Sequence, residues 1–178
     1  MPYLLISFTE RSDYACHHHL MERLSHLLKE IKKRPHATIF LDVDGTLVPD
    51  GTDVLDNESV QFIDEIRNGH KVVLASNSIR KERTETLARV FDLPTIKTKK
   101  PTSEACAEAL SYKTPYIVVG DKWWIDGVFA KKIGAHFFLV KPLYAKTDGI
   151  TMTVQYIFAA LTSWFWPIAS LFIKSHKQ

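Results

Sequence analysis

The chain has 178 residues, 46% hydrophobic and 24% charged. That is a globular composition, which excludes a disordered or fibrous polymer and leaves room for one domain whose core needs no disulfides. Twenty-three basic and 20 acidic residues give a formal charge of +3, too slight an excess to argue for nucleic acid but tolerant of an anionic substrate or membrane surface. Cys16 and Cys106 alone do not make a disulfide framework and suit a reducing compartment. Residues 1–8 are apolar, yet no basic residue precedes them and Glu10, Arg11 and Asp13 follow, so no export signal is expected and the cytosolic side is the expected location.

Residues 14–34 read as an amphipathic helix with Leu20, Leu24, Leu27, Leu28 and Ile31 on one stripe. Lys29, Lys32, Lys33 and Arg34 suit its C-terminal dipole, and Pro35 stops it. Residues 1–36 are therefore expected to form an N-terminal helical segment packed on the core, with a membrane-facing basic patch as the alternative. The run Cys16-His17-His18-His19 is not a metal site, because consecutive histidines cannot all face one ion from a helix.

Residues 38–42 form a near-continuous apolar run of the type used by a strand buried on both faces. A helix is expected over 57–68, with Asn57 as N-cap, Val60, Ile63 and Ile66 on one face, and Gly69 as the stop. A second buried strand follows at 71–75, then a polar helix over 80–91 with Leu87, Val90 and Phe91 turned inward. Next come a short strand at 95–98, a helix at 102–110 carrying Cys106 on its apolar face, and a third strong strand at 115–120. A helix over 125–133 and a last strand at 136–140 complete the pattern. Strands alternating with helices imply right-handed βαβ units. The expected fold is α/β and Rossmann-like: a mostly parallel sheet of about five strands, helices on both faces, and residues 37–148 as the core domain.

In such sheets ligands bind at the carboxyl ends of the strands. The first strand ends in Asp42-Val43-Asp44-Gly45-Thr46-Leu47, the second in Ser76-Asn77, the short one in Lys99-Lys100-Pro101, and the third strong one in Gly120-Asp121 with Asp126 five residues on. This set has a coherent use on a phosphate ester. A carboxylate can attack phosphorus and split hydrolysis into two steps. A hard divalent cation, magnesium, would neutralise the approaching anions, with Asp42 and Asp121 able to coordinate it. Asp44 can protonate the leaving oxygen and later activate water. The Ser76 hydroxyl and the Lys100 ammonium can hold phosphoryl oxygens, and Gly45 allows a sharp turn.

In these motifs the chain resembles the haloacid dehalogenase superfamily of phosphohydrolases. Asp42, Asp44 and Thr46 match its Asp-x-Asp-x-Thr motif, Ser76 its second motif, Lys100 its lysine, and Gly120, Asp121 and Asp126 its fourth motif. The resemblance covers residues 37–149. It implies Asp42 as nucleophile, Asp44 as acid/base, and phosphate binding by Ser76, Asn77 and Lys100. Magnesium would be bound by Asp42, Asp121 and the Asp44 carbonyl, with Asp126 as ligand or support. Lys100 is favoured over Lys99 because Pro101 follows it. Twenty-nine residues separate Thr46 from Ser76 and twenty-three separate Ser76 from Lys100, so no cap domain is expected, only a short flap at 48–55. Lys-Lys-Pro, Gly-Asp-x4-Asp and Thr147-Asp148-Gly149 are similar to the capless subgroup that includes the phosphatidylglycerophosphate phosphatases. Ser76-Asn77-Ser78 and Trp123-Trp124 depart from it, lacking the doubled Asn and the smaller apolar pair. The expected activity is magnesium-dependent hydrolysis of a phosphomonoester, with a lipid phosphate as one substrate class. The rivals are a soluble sugar- or nucleotide-phosphate phosphatase and a catalytically idle binding protein of the same fold.

Residues 149–173 contain no Asp, Glu, Lys or Arg over twenty-five positions, long enough for a bilayer span although Pro167 interrupts them. Lys141, Lys146, Lys174 and Lys177 flank them. Three readings of the 149–178 segment stay open: membrane contact, a helix packed on the domain, or an oligomer interface. Trp123 and Trp124 read either as packing beside the site or as an aromatic wall for an acyl chain or membrane interface.

Overall fold

Short runs of β-branched and aromatic residues form the strands β1 (Thr38–Leu41), β2 (Lys71–Leu74), β3 (Tyr116–Gly120) and β4 (His136–Leu139). The computed structural model describes residues 24–49, 52–78 and 80–143, together with Val154, Ile157, Phe158, Leu161 and Thr162. All described pairings are parallel, in the order β2-β1-β3-β4, with Ile39 between Val72 and Ile117 and Val118 opposite Phe137. The two inner strands are buried at every position, as their lack of polar alternation requires.

Successive side chains leave the sheet on opposite faces, and each face has its own helices. Ile39, Leu41, Leu74, Ile117 and Val119 pack with the helices α1 (Leu24–Lys32), α2 (Asn57–Arg67) and α3 (Lys81–Phe91). Phe40, Val73, Val118 and Phe137 pack with α4 (Ser103–Leu110) and α5 (Val128–Ile133). Leu24, Leu27 and Ile31 bury the inner stripe of α1, and Lys32 pairs with Glu65 of α2 at 2.8 Å. Cys106 is buried on the second face, where loss of solvent pushes its thiol pKa up.

The sheet has four strands rather than about five. Leu74 exchanges hydrogen bonds with Pro94 and Ile96, so Thr95 makes a single parallel bridge to β2. The ladder stops there because the amide of Lys97 donates to the Glu108 carboxylate at 3.0 Å instead of to a strand. Two helix assignments also change. Asp56, not Asn57, caps α2, its side chain accepting from the Ser59 amide at 2.7 Å. On α3 the inward stripe is Arg83, Leu87 and Phe91, spaced by four, while Val90 is 69% exposed. The expected 125–133 helix starts as a wider π-helical turn, Trp123–Gly127, before α5.

Residues 1–23, including the Cys-His run, and most of 144–178, including Lys146 and Thr147-Asp148-Gly149, lie outside the described residues. Among the described residues no helix is long and apolar enough to cross a membrane. Val154, Ile157, Phe158 and Leu161 are exposed and share one helical stripe by their spacing. Phe158 meets Trp124 edge-on at 5.5 Å, and Trp123 Nε1 donates to the Thr162 hydroxyl at 3.0 Å.

The face assignment of α3 has a direct consequence for stability. Leu87→Ala is expected to lower the unfolding free energy by about 2–5 kcal/mol, and Val90→Lys to change it by less than about 0.5 kcal/mol. Denaturant midpoints of the two variants in the opposite order would contradict it.

Candidate active site

From β1 the chain goes to β2 on one side, and from β2 it crosses back to β3 on the other. The carboxyl ends of β1 and β3 therefore flank a topological switch point, where an open parallel sheet leaves a crevice. Asp42 follows β1 and Asp121 follows β3, with the Asp42 amide bonded to the Val119 carbonyl at 2.9 Å. Asp42 is 6% exposed and Asp121 1%.

After Asp42 the chain folds into a tight loop. The amides of Thr46, Leu47 and Val48 all point at the Val43 carbonyl, and the Gly45 amide reaches the Val48 carbonyl at 2.8 Å. Gly45 has φ +81°, and a Cβ there would lie 2.4 Å from Asp121 Oδ2. Only glycine permits both the turn and the approach. Gly120 is constrained in the same way, since a Cβ on it would come within 2.3 Å of Asp126 Cγ.

Asp126 is aimed back at the strand ends by the π-helical turn. Its amide bonds the Lys122 carbonyl at 2.7 Å, and its Oδ2 accepts from the Lys122 amide at 3.1 Å. Its Oδ1 accepts from the Lys100 ammonium, which also donates to Asp42 Oδ1 at 2.9 Å. Lys100, 4% exposed, thus lies between two buried carboxylates. Lys99 is exposed, so of the doublet Lys100 is the one inside the site. Asn77 grips Lys100 from the β2 side: its Nδ2 donates to the Lys100 carbonyl and its Oδ1 accepts the Lys100 amide, both at 2.7 Å. With both ends of its amide on that backbone, Asn77 positions the lysine. Ser76 donates its hydroxyl to Asp44 Oδ2 at 3.1 Å and accepts the Ser78 amide at 3.0 Å.

Two further cations belong to the cluster that the sequence motifs did not mark. Lys122 donates to both carboxylate oxygens of Asp121, at 3.0 and 2.9 Å, and approaches the Asp44 carbonyl at 3.4 Å. Arg83, from α3, pairs with Asp44 Oδ1. Extending the four-residue spacing of Leu87 and Phe91 back by one turn would have marked Arg83 as inward-facing. For Lys122, only its place beside Asp121 was a signal.

Burial sets the electrostatics. It pushes the Asp121 carboxyl up to about 8, with Lys122 opposing and Asp42 and Asp126 adding. Burial likewise raises Asp126, against the pull of Lys100. Asp44 is raised by burial and by the neighbouring Asp42 charge, against Arg83 and the Ser78 and Ser76 hydrogen bonds. Burial works against the Lys122 ammonium, yet Asp121 and Asp42 outweigh it and hold its pKa above the ordinary range. The same balance, with Asp126 and Asp42, raises Lys100.

A cation fits this donor set. Oxygens of Asp42, Asp121 and Asp126 all lie within 4.8 Å of one another, hard ligands of the type that suits a hard divalent ion. The Lys122 ammonium already stands in for such an ion, since it takes both Asp121 oxygens and faces the Asp44 carbonyl.

The raised Asp121 carboxyl gives a pH dependence with a definite sign. The unfolded chain releases this proton near the ordinary value of 3.8, and the folded protein near about 8. Between those values the folded state binds more protons, so the Asp121 contribution to stability falls as pH rises through the window. In chelator-treated protein, melting temperature should decline toward pH 8 more steeply for wild type than for Asp121→Asn; a shallower wild-type decline would contradict this. No protein-family model, curated protein or solved structure matches the chain.

Proposed function

We propose that the protein is a magnesium-dependent phosphomonoester hydrolase of the haloacid dehalogenase type, without a cap domain, working through an aspartyl-phosphate on Asp42. One observation carries this reading. Asp42, Asp44, Ser76, Lys100, Asp121 and Asp126, drawn from separate chain segments, meet in one cluster at the switch-point edge, its hydrogen bonds joined through Lys122. The absence of a cap is supported by the connections themselves. Thr46 to Ser76 is largely filled by α2 and β2, and Ser76 to Lys100 by α3.

The chemistry follows from the positions. An Asp42 carboxylate oxygen attacks phosphorus and the bond to the leaving oxygen breaks, that oxygen taking the proton of Asp44. The elevated affinity of Asp44 for a proton suits it to this acid role. Asp44, now ionised, accepts a proton from water as the water oxygen attacks the acyl-phosphate; phosphate leaves and the Asp42 carboxylate is restored. Lys100 holds Asp42 in orientation and lies where phosphoryl oxygens would gather charge. The Ser76 hydroxyl can rotate to donate to one of those oxygens. Asp42, Asp121 and the Asp44 carbonyl, with Asp126 beside them, would hold magnesium, which when bound neutralises the facing carboxylate and phosphoryl oxygens.

A lipid phosphate, of the phosphatidylglycerophosphate type, met at the cytosolic face of a membrane, is the substrate class we favour. The supporting observation is the apolar surface beside the site. Trp123 and Trp124 follow Lys122 in the turn after Asp121, and Phe158 on Trp124 continues them into the exposed Val154, Ile157 and Leu161. Such a surface suits a headgroup-level enzyme whose substrate is held by its own bilayer.

Hydrolysis of an aryl phosphate should require magnesium, be lost on chelation and return on its addition. Asp42→Asn should reduce it by at least about a thousandfold in protein that its melting curve shows to be folded. Normal turnover by that variant would overturn the nucleophile assignment. In a panel of vesicle-borne phosphatidylglycerophosphate and soluble sugar and nucleotide phosphates, the lipid should show the highest kcat/KM. A soluble phosphate in first place would replace the lipid reading.

A further inference from the structure

Arg83 is the one buried residue of α3 that carries a charge, and its side chain is 3% exposed. An arginine on a helix face otherwise made of Leu87 and Phe91 must recover, through directed hydrogen bonds, the solvation it has lost. It does so at the site. Its Nη2 pairs with Asp44 Oδ1, while its Nη1 donates to the Thr52 carbonyl at 2.6 Å and the Pro49 carbonyl at 3.3 Å. The Asp53 carboxylate lies 3.8 Å away but is largely exposed, so it adds little. Asp44 itself is held by Arg83 on Oδ1, by the Ser76 hydroxyl on Oδ2 and by a hydrogen bond from Ser78. Ser76 is needed elsewhere once a phosphoryl group enters. Arg83 then remains, beside Ser78, as the charged hold on the Asp44 carboxyl, its guanidinium anchored in turn by two backbone carbonyls.

We propose that Arg83 is a positioning residue for acid catalysis: it holds the Asp44 carboxyl so that its free oxygen faces the leaving group. This rests on the hydrolase reading above and extends it to a residue outside its motifs. Arg83 needs its planar fork for the task, because one nitrogen serves Asp44 while another serves the carbonyls of Pro49 and Thr52. A lysine supplies charge but not that geometry.

The test compares two substrates that differ in their need for a proton: an activated aryl phosphate, whose leaving group departs without one, and glycerol phosphate, whose alkoxide does not. In single-turnover measurements of the phosphorylation step, which precedes the base role of Asp44, Arg83→Met should lower the rate with glycerol phosphate about 100-fold while changing the rate with the aryl phosphate by less than about threefold. Arg83→Lys, which keeps the buried charge, should fall between Arg83→Met and wild type on glycerol phosphate, and serves if Arg83→Met does not fold by its melting curve. In an Asp44→Asn background the Arg83 substitution should add almost nothing, because the two act as one unit. Equal loss on both substrates in folded protein, or a full additional loss in the Asp44→Asn background, would overturn the positioning role. Wild-type protein inactive on both substrates would overturn the hydrolase reading, and this inference with it.

Discussion

Four carboxylates, those of Asp42, Asp44, Asp121 and Asp126, sit almost without water at one edge of the sheet. Two like charges about 4 Å apart repel by about 4 kcal/mol even at an effective dielectric of about 20. The edge is tenable because each carboxylate has an assigned cation. Lys100 serves Asp42 and Asp126, Lys122 serves Asp121, and Arg83 serves Asp44. Breaking one such pair leaves an uncompensated buried charge, at a cost of about 3–5 kcal/mol. Stability and site are therefore built from the same contacts.

The topology makes this assembly cheap in chain length. Parallel strands all end on one edge, so residues far apart in sequence arrive together once β1 lies between β2 and β3. Backbone devices do the rest. Gly45 and Gly120 remove the Cβ atoms that would collide with Asp121 and Asp126. The π-helical turn after β3 places the amides of Ile125 and Asp126 on a single carbonyl, that of Lys122, and turns the Asp126 carboxylate back toward Lys100. A π-turn of this sort is costly to form and tends to persist where a side chain must be re-aimed. Asn77 completes the frame by clamping the backbone of Lys100 rather than offering its amide to solvent.

Four carboxylates against three cationic groups leave the cluster net negative when all are ionised. A doubly charged cation would reverse that sign, and the edge would then attract a phosphate dianion it would otherwise repel. This is the electrostatic reason the proposed activity is tied to a divalent ion. The neighbouring surface is of opposite character: Trp123 and Trp124 lie edge to face, and Phe158 extends them. An ionic cluster bordered by two half-buried tryptophans and the exposed Phe158 suits a substrate with a charged head and an apolar body.

The sequence by itself determined the α/β class, the places of β1 to β4 and the residues carrying the acid, hydroxyl and lysine functions. Periodicity and strand-end position are local properties, and Asp42, Ser76 and Asp121 each follow a recognisable apolar run, while Lys100 was marked by the Lys-Lys-Pro that it belongs to. Only the tertiary structure decided how those groups are partnered. The fifth strand shrank to a bridge at Thr95 because a side chain of α4 took the Lys97 amide. Val90 turned outward and Arg83 inward because the face of α3 is set by where Asp44 and the first core lie, not by hydropathy alone. Asn77 and Lys122 acquired their partners in the same way, from segments twenty-three and seventy-eight residues distant. Hydrogen bonds and ion pairs between remote segments leave no periodic trace in a sequence; they exist only once the sheet has brought the strand ends together.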